Sequence, residues 1–192
     1  MRPAELLAWA VIGMAALCPG AQAGDAEDYQ VQFNIDRHER QLHTTASFRV
    51  PLPVCEAYRY LTDYDAARKV TGVLDSRTTR LGGPRVRVER WAEERVLFFT
   101  VKLHSVVDYL EQPYHGTEFH QVSGDAKEFH GRWRLEPDGD GTWFRFEGVM
   151  EPDSAFPMAV VQHFVQHKMR DRFAEMARNG ARRKGLEVPA CV

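Results

Sequence analysis

The chain has 192 residues, with 25 Lys and Arg against 27 Asp and Glu, for a formal charge of −2. That length suits one domain with a sizeable core, and 44% hydrophobic with 27% charged residues excludes wholesale disorder. The near-zero charge removes the cationic footprint of a nucleic-acid binder, and three cysteines are too few for a disulfide-built scaffold.

Residues 1–23 read as a cleaved export signal. Arg2 precedes an apolar run from Leu6 to Cys18, Pro19-Gly20 breaks any helix, and Ala21 and Ala23 supply the small residues that signal peptidase needs. The run is too short to cross ~30 Å of hydrocarbon at 1.5 Å per residue. Residues 24–192 are then a single exported domain, periplasmic if the source is a Gram-negative bacterium. An oxidising compartment permits a bond between Cys55 and Cys191, the two cysteines left after cleavage.

Tyr29 to Val50 alternates in two arms around Asp36-Arg37-His38-Glu39, the pattern of a strand pair with a polar turn. Pro51 and Pro53 end the second arm. Val54, Ala57, Tyr58 and Leu61 then share one helical stripe, and a second short helix runs to about Lys69. Strands follow at Val73–Leu81 and Arg85–Trp91, flanking the turn Gly82-Gly83-Pro84. Arg95–Glu111 reads as one long strand, followed by Glu118–Val122, Lys127–Glu136 and Thr142–Met150. In Lys127–Glu136, Phe129, Gly131, Trp133 and Leu135 share a face while His130, Arg132 and Arg134 share the other, as in an antiparallel sheet with one wet side.

The last element is a long helix from about Ala155 to Lys184. Val161, Val165, Met169, Phe173 and Met176 recur at helical spacing, and arginines gather in the C-terminal half, where the dipole favours them. The order predicts an α+β domain: a bent antiparallel sheet of about six to seven strands wrapped around the C-terminal helix, with two short helices after the first strand.

Chemistry-bearing motifs are sparse. There is no Gly-x-Ser-x-Gly elbow, no Cys-x-x-Cys and no glycine-rich phosphate loop, so no catalytic residue and no cofactor are assigned. His163 and His167 lie four apart on the helix but lack a third ligand, and no metal is assigned either. Tyr109, Gln121 and Ser105 are the polar side chains nearest the inward rows. His130, Arg132 and Arg134 with Trp143 and Arg145 form an exposed basic-aromatic patch, read either as a solvated face or as a docking surface for a headgroup or protein.

Several strings carry a resemblance. They are Val50-Pro51-Leu52-Pro53, Tyr60-Leu61-Thr62-Asp63-Tyr64-Asp65, Arg95-Val96-Leu97-Phe98-Phe99 and Val122-Ser123-Gly124-Asp125. The run Phe129-His130-Gly131-Arg132-Trp133-Arg134-Leu135-Glu136-Pro137 and then Glu151-Pro152 complete the set. In this order they resemble the START-like (SRPBCC, helix-grip) superfamily, the group of polyketide cyclase/dehydrase and coenzyme Q-binding proteins. The resemblance implies a deep cavity between sheet and helix. Its lining would be Phe99, Val101, Leu103, Val107 and Tyr109; Phe129 and Trp133; Phe144 and Phe146; and Val161, Val165 and Met169 from the helix. The alternative is that these side chains interdigitate and fill the core. The same arrangement brings the C-terminal tail toward the first short helix and so implies a Cys55–Cys191 disulfide.

The expected function is non-enzymatic: an exported domain holding a lipid, isoprenoid quinone or similar hydrophobic molecule for transport or sequestration. Its partners would be that small molecule and, transiently, a membrane, with no nucleic acid. A cyclase/aromatase-like enzyme and an interaction module with a filled core are the alternatives.

Overall fold

The computed structural model describes residues 29–69, 72–96, 98–154 and 156–184. The expected export signal, residues 1–23, and Cys191 lie outside these residues. Eight antiparallel strands form one sheet: β1 (Gln32–His38), β2 (Gln41–Val50), β3 (Val73–Gly82), β4 (Arg85–Val96), β5 (Phe99–Gln112), β6 (Gly116–Gly124), β7 (Ala126–Asp138) and β8 (Gly141–Pro152). Their spatial order is β1-β2-β8-β7-β6-β5-β4-β3. Helix α1 (Val54–Leu61) and a 3-10 helix (Tyr64–Lys69) connect β2 to β3, and α2 (Met158–Ala181) closes the chain. The class is α+β and the arrangement is a helix grip.

Two boundaries differ from the sequence pattern. The first turn falls at Glu39-Arg40, with Glu39 at φ 55°, so Asp36 to His38 belong to β1 and pair with β2. As an edge strand β1 exposes polar groups there, which imitates a turn. The predicted strand Arg95–Glu111 is also split, because β4 continues to Val96 and turns back so that Val96 pairs with Phe99. This apolar tip contains no glycine, proline or asparagine to signal a turn, so the boundary between the two strands shifts while their number does not; the six strands read from Val73 onward are β3–β8, and the pair β1–β2 brings the sheet to eight.

Local chemistry explains the remaining ends. Pro53 occupies the N-cap of α1, and the Thr62 hydroxyl donates to the Tyr58 carbonyl at 2.9 Å to finish it. Gly82 and Gly83 adopt φ of 97° and 57°, as the β3–β4 hairpin requires. Gly131 and Gly148 are cross-strand partners on the inner face. A Cβ on Gly131 would lie 2.2 Å from the Glu147 carbonyl oxygen and 2.8 Å from the Phe119 ring, and one on Gly148 would lie 2.6 Å from the Phe146 ring. The two glycines thus leave room for Phe119 and Phe146 to lie flat across the sheet, stacked at 5.9 Å.

The core sits at the β2–β8–β7 end. Phe48 and Phe144 are fully buried and stacked at 5.0 Å, in one cluster with Val50 and Leu52. Phe173 of α2 enters this cluster, with ring centres 5.3 Å from Phe146, 5.7 Å from Trp133 and 5.8 Å from Phe33. Only the second half of α2 is buried, through Phe173, Ala174, Ala177 and Gly180. Gly180 permits the closest approach, since a Cβ there would lie 2.8 Å from Val50 and 3.2 Å from Tyr60. The Tyr60 hydroxyl donates to the Met176 carbonyl at 2.9 Å, and just past the helix Arg183 pairs with Asp63 at 2.7 Å.

Phe173→Ala should therefore cost about 3–5 kcal/mol of stability in urea unfolding. Burial pushes the Tyr60 hydroxyl up from 10.0 to about 12. A raised pKa in the folded state means its contribution is complete below the unfolded value and is lost as pH rises through about 12. Tyr60→Phe should lose about 1 kcal/mol at neutral pH and show a shallower loss of stability over that alkaline range.

Candidate ligand-binding cavity

Because α2 rests on β1 and β2, it stands off the other half of the sheet. A cavity of about 1140 Å³ fills the gap, a little above the ~300–1,000 Å³ usual for small-molecule sites. Its floor is aromatic: Phe119 lies 5.0 Å from Phe129 and 5.8 Å from Tyr109, and Trp133 lies 4.9 Å from Phe146. Val161, Phe164, Val165, Met169 and Met176 form the roof, and Val101, Leu103, Ser105 and Val107 of β5 form the far wall.

Of the side chains expected to line it, Val101, Leu103, Val107, Tyr109, Phe129, Trp133, Phe146, Val161, Val165 and Met169 all do. The Phe99 side chain lies outside the described set. Phe144 is corrected: it is fully buried between Phe48 and Tyr60, because α1 covers that end of β8 and converts an inward position into core. Ser105 and Gln121 also line the cavity, and Gln121 Nε2 is committed to the Ala126 carbonyl at 2.7 Å.

The charged part of the wall was not legible as such. The inward row of β4 runs Val86, Val88, Arg90, Ala92 and Glu94, of which Val86 and Val88 are buried and the last three line the cavity. Ending this strand at Trp91 hides Glu94, although the alternation continues past it. Glu94 is only 6% exposed, and its carboxylate accepts from Arg172 and pairs with Lys168 at 3.4 Å. Among the described residues, the ion pairs between residues 158–172 and the sheet converge on this one carboxylate. The wall opposite the buried half of α2 is thus tied to the helix by charge instead of by packing.

The basic row on the outer face is largely neutralised. Arg132 pairs with Glu147, Arg145 with Glu136 at 2.6 Å, and His130 Nδ1 lies 3.3 Å from Glu128, while the Arg145 guanidinium sits 5.6 Å from the Trp143 ring. Acidic residues on the same and the neighbouring strand offset the row, which favours a solvated face. On α2, the exposed His163 and His167 rings lie 4.2 Å apart, and His167 Nδ1 donates to the His163 carbonyl at 2.7 Å. Cys55 is disulfide-bonded; the other half of the expected pair, Cys191, lies outside the described residues.

The sequence matches the family described as polyketide cyclase / dehydrase and lipid transport over residues 41–181. Comparison with curated proteins finds no match. Among solved structures, a STAR-related lipid transfer protein from Xanthomonas axonopodis superposes with a TM-score of 0.66 at 12% identity, covering 78% of this chain and 93% of its own. The ZhuI aromatase/cyclase from Streptomyces sp. R1128 gives 0.61 at 13% identity, covering 74% and 95%. TTHA0849 from Thermus thermophilus gives 0.62 at 18% identity, covering 73% and 95%. Such identities speak for the fold alone. The domain is START-like, and the chain belongs to the polyketide cyclase/dehydrase and lipid transport family.

Glu94→Gln should free the first half of α2 while leaving the second half anchored. Hydrogen exchange should then speed up for amides in residues 158–172 and stay unchanged in residues 173–181. Equal acceleration along the whole helix would contradict this division.

Proposed function

We propose that this chain is an exported carrier that holds a hydrophobic molecule, a lipid or an isoprenoid quinone, between the sheet and α2. The observation that carries the reading is the cavity of about 1140 Å³, walled by aromatic and aliphatic side chains that do not interdigitate to fill it. Each 100 Å² of apolar ligand surface withdrawn from water there would contribute about 2.5 kcal/mol. The family description, which includes lipid transport, supports the same class of ligand.

Export rests on the features of residues 1–23 and gains support from the oxidised Cys55, since disulfides persist mainly outside the cytosol. Transient membrane contact is part of the proposal. Phe98, at 92% exposure, stands at the tip of the β4–β5 hairpin, beyond the Glu94 and Val101 side of the cavity. A second reading, a cyclase-like enzyme, draws on Tyr109 and Ser105 in the wall as groups able to hydrogen-bond a polar substrate.

An environment-sensitive apolar probe tests the proposal. It should bind the purified domain at one-to-one stoichiometry and be displaced by a lipid extract. Val101→Trp, which fills part of the wall, should weaken probe binding at least about ten-fold, the scale of one lost apolar contact, with the fold intact by circular dichroism. Failure of the probe to bind, or indifference to the tryptophan, would count against the carrier.

A further inference from the structure

The cations that line this cavity are not alike. Lys102 and Arg182 are exposed to water, and Arg172 and Arg183 are paired with Glu94 and Asp63. Arg90 belongs to the same wall, yet its Nε is fully buried and has no hydrogen-bond partner among the described residues. Arginine stays protonated in any protein environment. Removing part of a guanidinium from water without a partner is unfavourable, so an orphaned donor at this position calls for an explanation.

The cross-strand neighbours of Arg90 are small. Its cross-strand partners are Ser76 on β3 and Ser105 on β5, and Ser105 in turn faces Gly124 on β6. Arg90 thus sits in a cross-strand row whose other members are two serines and a glycine, where the adjacent row is made of Val88, Val107 and Gln121. Ser76 is already engaged, its hydroxyl donating to the Tyr64 carbonyl at 3.3 Å, whereas Ser105 faces the cavity. Glu94, the nearest inward carboxylate along β4, is four residues away, about 13 Å at strand rise, and is occupied by Lys168 and Arg172. The wall therefore presents a partly buried cation with an unsatisfied donor, a hydroxyl beside it, and an aromatic floor below.

We infer that Arg90 is the headgroup-binding residue of the cavity, and that the ligand is a long-chain amphiphile with a single negative charge, a carboxylate, whose tail lies on the Phe119, Phe129 and Phe146 floor. This rests on the carrier reading above. A guanidinium matches a carboxylate through two parallel N–H donors, and one cation offsets one charge. A phosphate monoester, at about −1.5 to −2, would leave charge uncompensated beside apolar walls.

Three probes with the same sixteen-carbon tail separate the outcomes: palmitate, hexadecyl phosphate and hexadecan-1-ol, each measured by displacement of the apolar fluorophore from wild type and from Arg90→Gln. The expected result is that wild type binds palmitate at least about ten-fold more tightly than the alcohol, the scale of a charge-assisted hydrogen bond. Arg90→Gln should abolish that preference and leave the alcohol's affinity unchanged, which also reports an intact cavity. Equal affinities for palmitate and alcohol in wild type, or a preference that survives in Arg90→Gln, would overturn the assignment of Arg90. Tighter binding of hexadecyl phosphate than of palmitate would overturn the carboxylate. If the glutamine variant loses the alcohol as well, Arg90→Lys decides: a retained palmitate preference supports the site and a lost one overturns it. Wild type binding none of the three would instead overturn the carrier reading on which the inference stands.

Discussion

The insertion of Phe173 into the aromatic cluster of β2, β7 and β8 governs the rest of the molecule. Its ring meets Phe33, Phe48, Trp133 and Phe146 within 6.4 Å, and Ala177 and Gly180 let the following turns settle onto β2 and α1. The helix is gripped over one half of its length and on one side of the sheet. A helix packed centrally would bury Val161, Val165 and Met169 as it buries Phe173; here they stay half-buried and face a void. Cavity and core are alternatives for the same apolar stripe, and the position of Phe173 along it separates the two.

Curvature of the sheet makes that void deep. Gly131 and Gly148 face one another where any side chain would strike a backbone atom or a ring, and Phe119 and Phe146 lie over them as paving. The outer face of the same strands carries arginines and glutamates that pair across strands, Arg132 with Glu147 directly opposite and Arg145 with Glu136 on the diagonal. These pairs suit a wet surface and contribute little individually. The inner charges differ in consequence: Glu94 is nearly buried, and its two cations are what bind the free half of the helix to the opposite wall.

Much of this fold is legible in the sequence because its signals are local. The helix at Val54–Leu61 follows from two prolines and a four-residue stripe, the β3–β4 turn from Gly82-Gly83, and the inner row of β7 from strict alternation. The two strands of the β4–β5 hairpin are legible but the position of their turn is not, since the tip is apolar and the register of β4 on β5 fixes the turn beyond Val96 instead of at residues 92–94. The same blind spot concealed the end of the inward row of β4. Phe144 shows the converse limit: alternation correctly turns it inward, but only the docking of α1 decides that inward means core at that end and cavity at the other. The Cβ contacts that forbid side chains at Gly131 and Gly148 likewise depend on neighbours distant in sequence.

Everything proposed for this protein turns on whether an apolar molecule occupies the space under α2 in its working state. Native mass spectrometry of the protein, purified gently and compared before and after organic extraction, addresses that directly. The predicted result is a stoichiometric adduct of lipid-like mass that extraction removes and a lipid extract restores. A protein that is clean from the start and takes up nothing from the extract would contradict it.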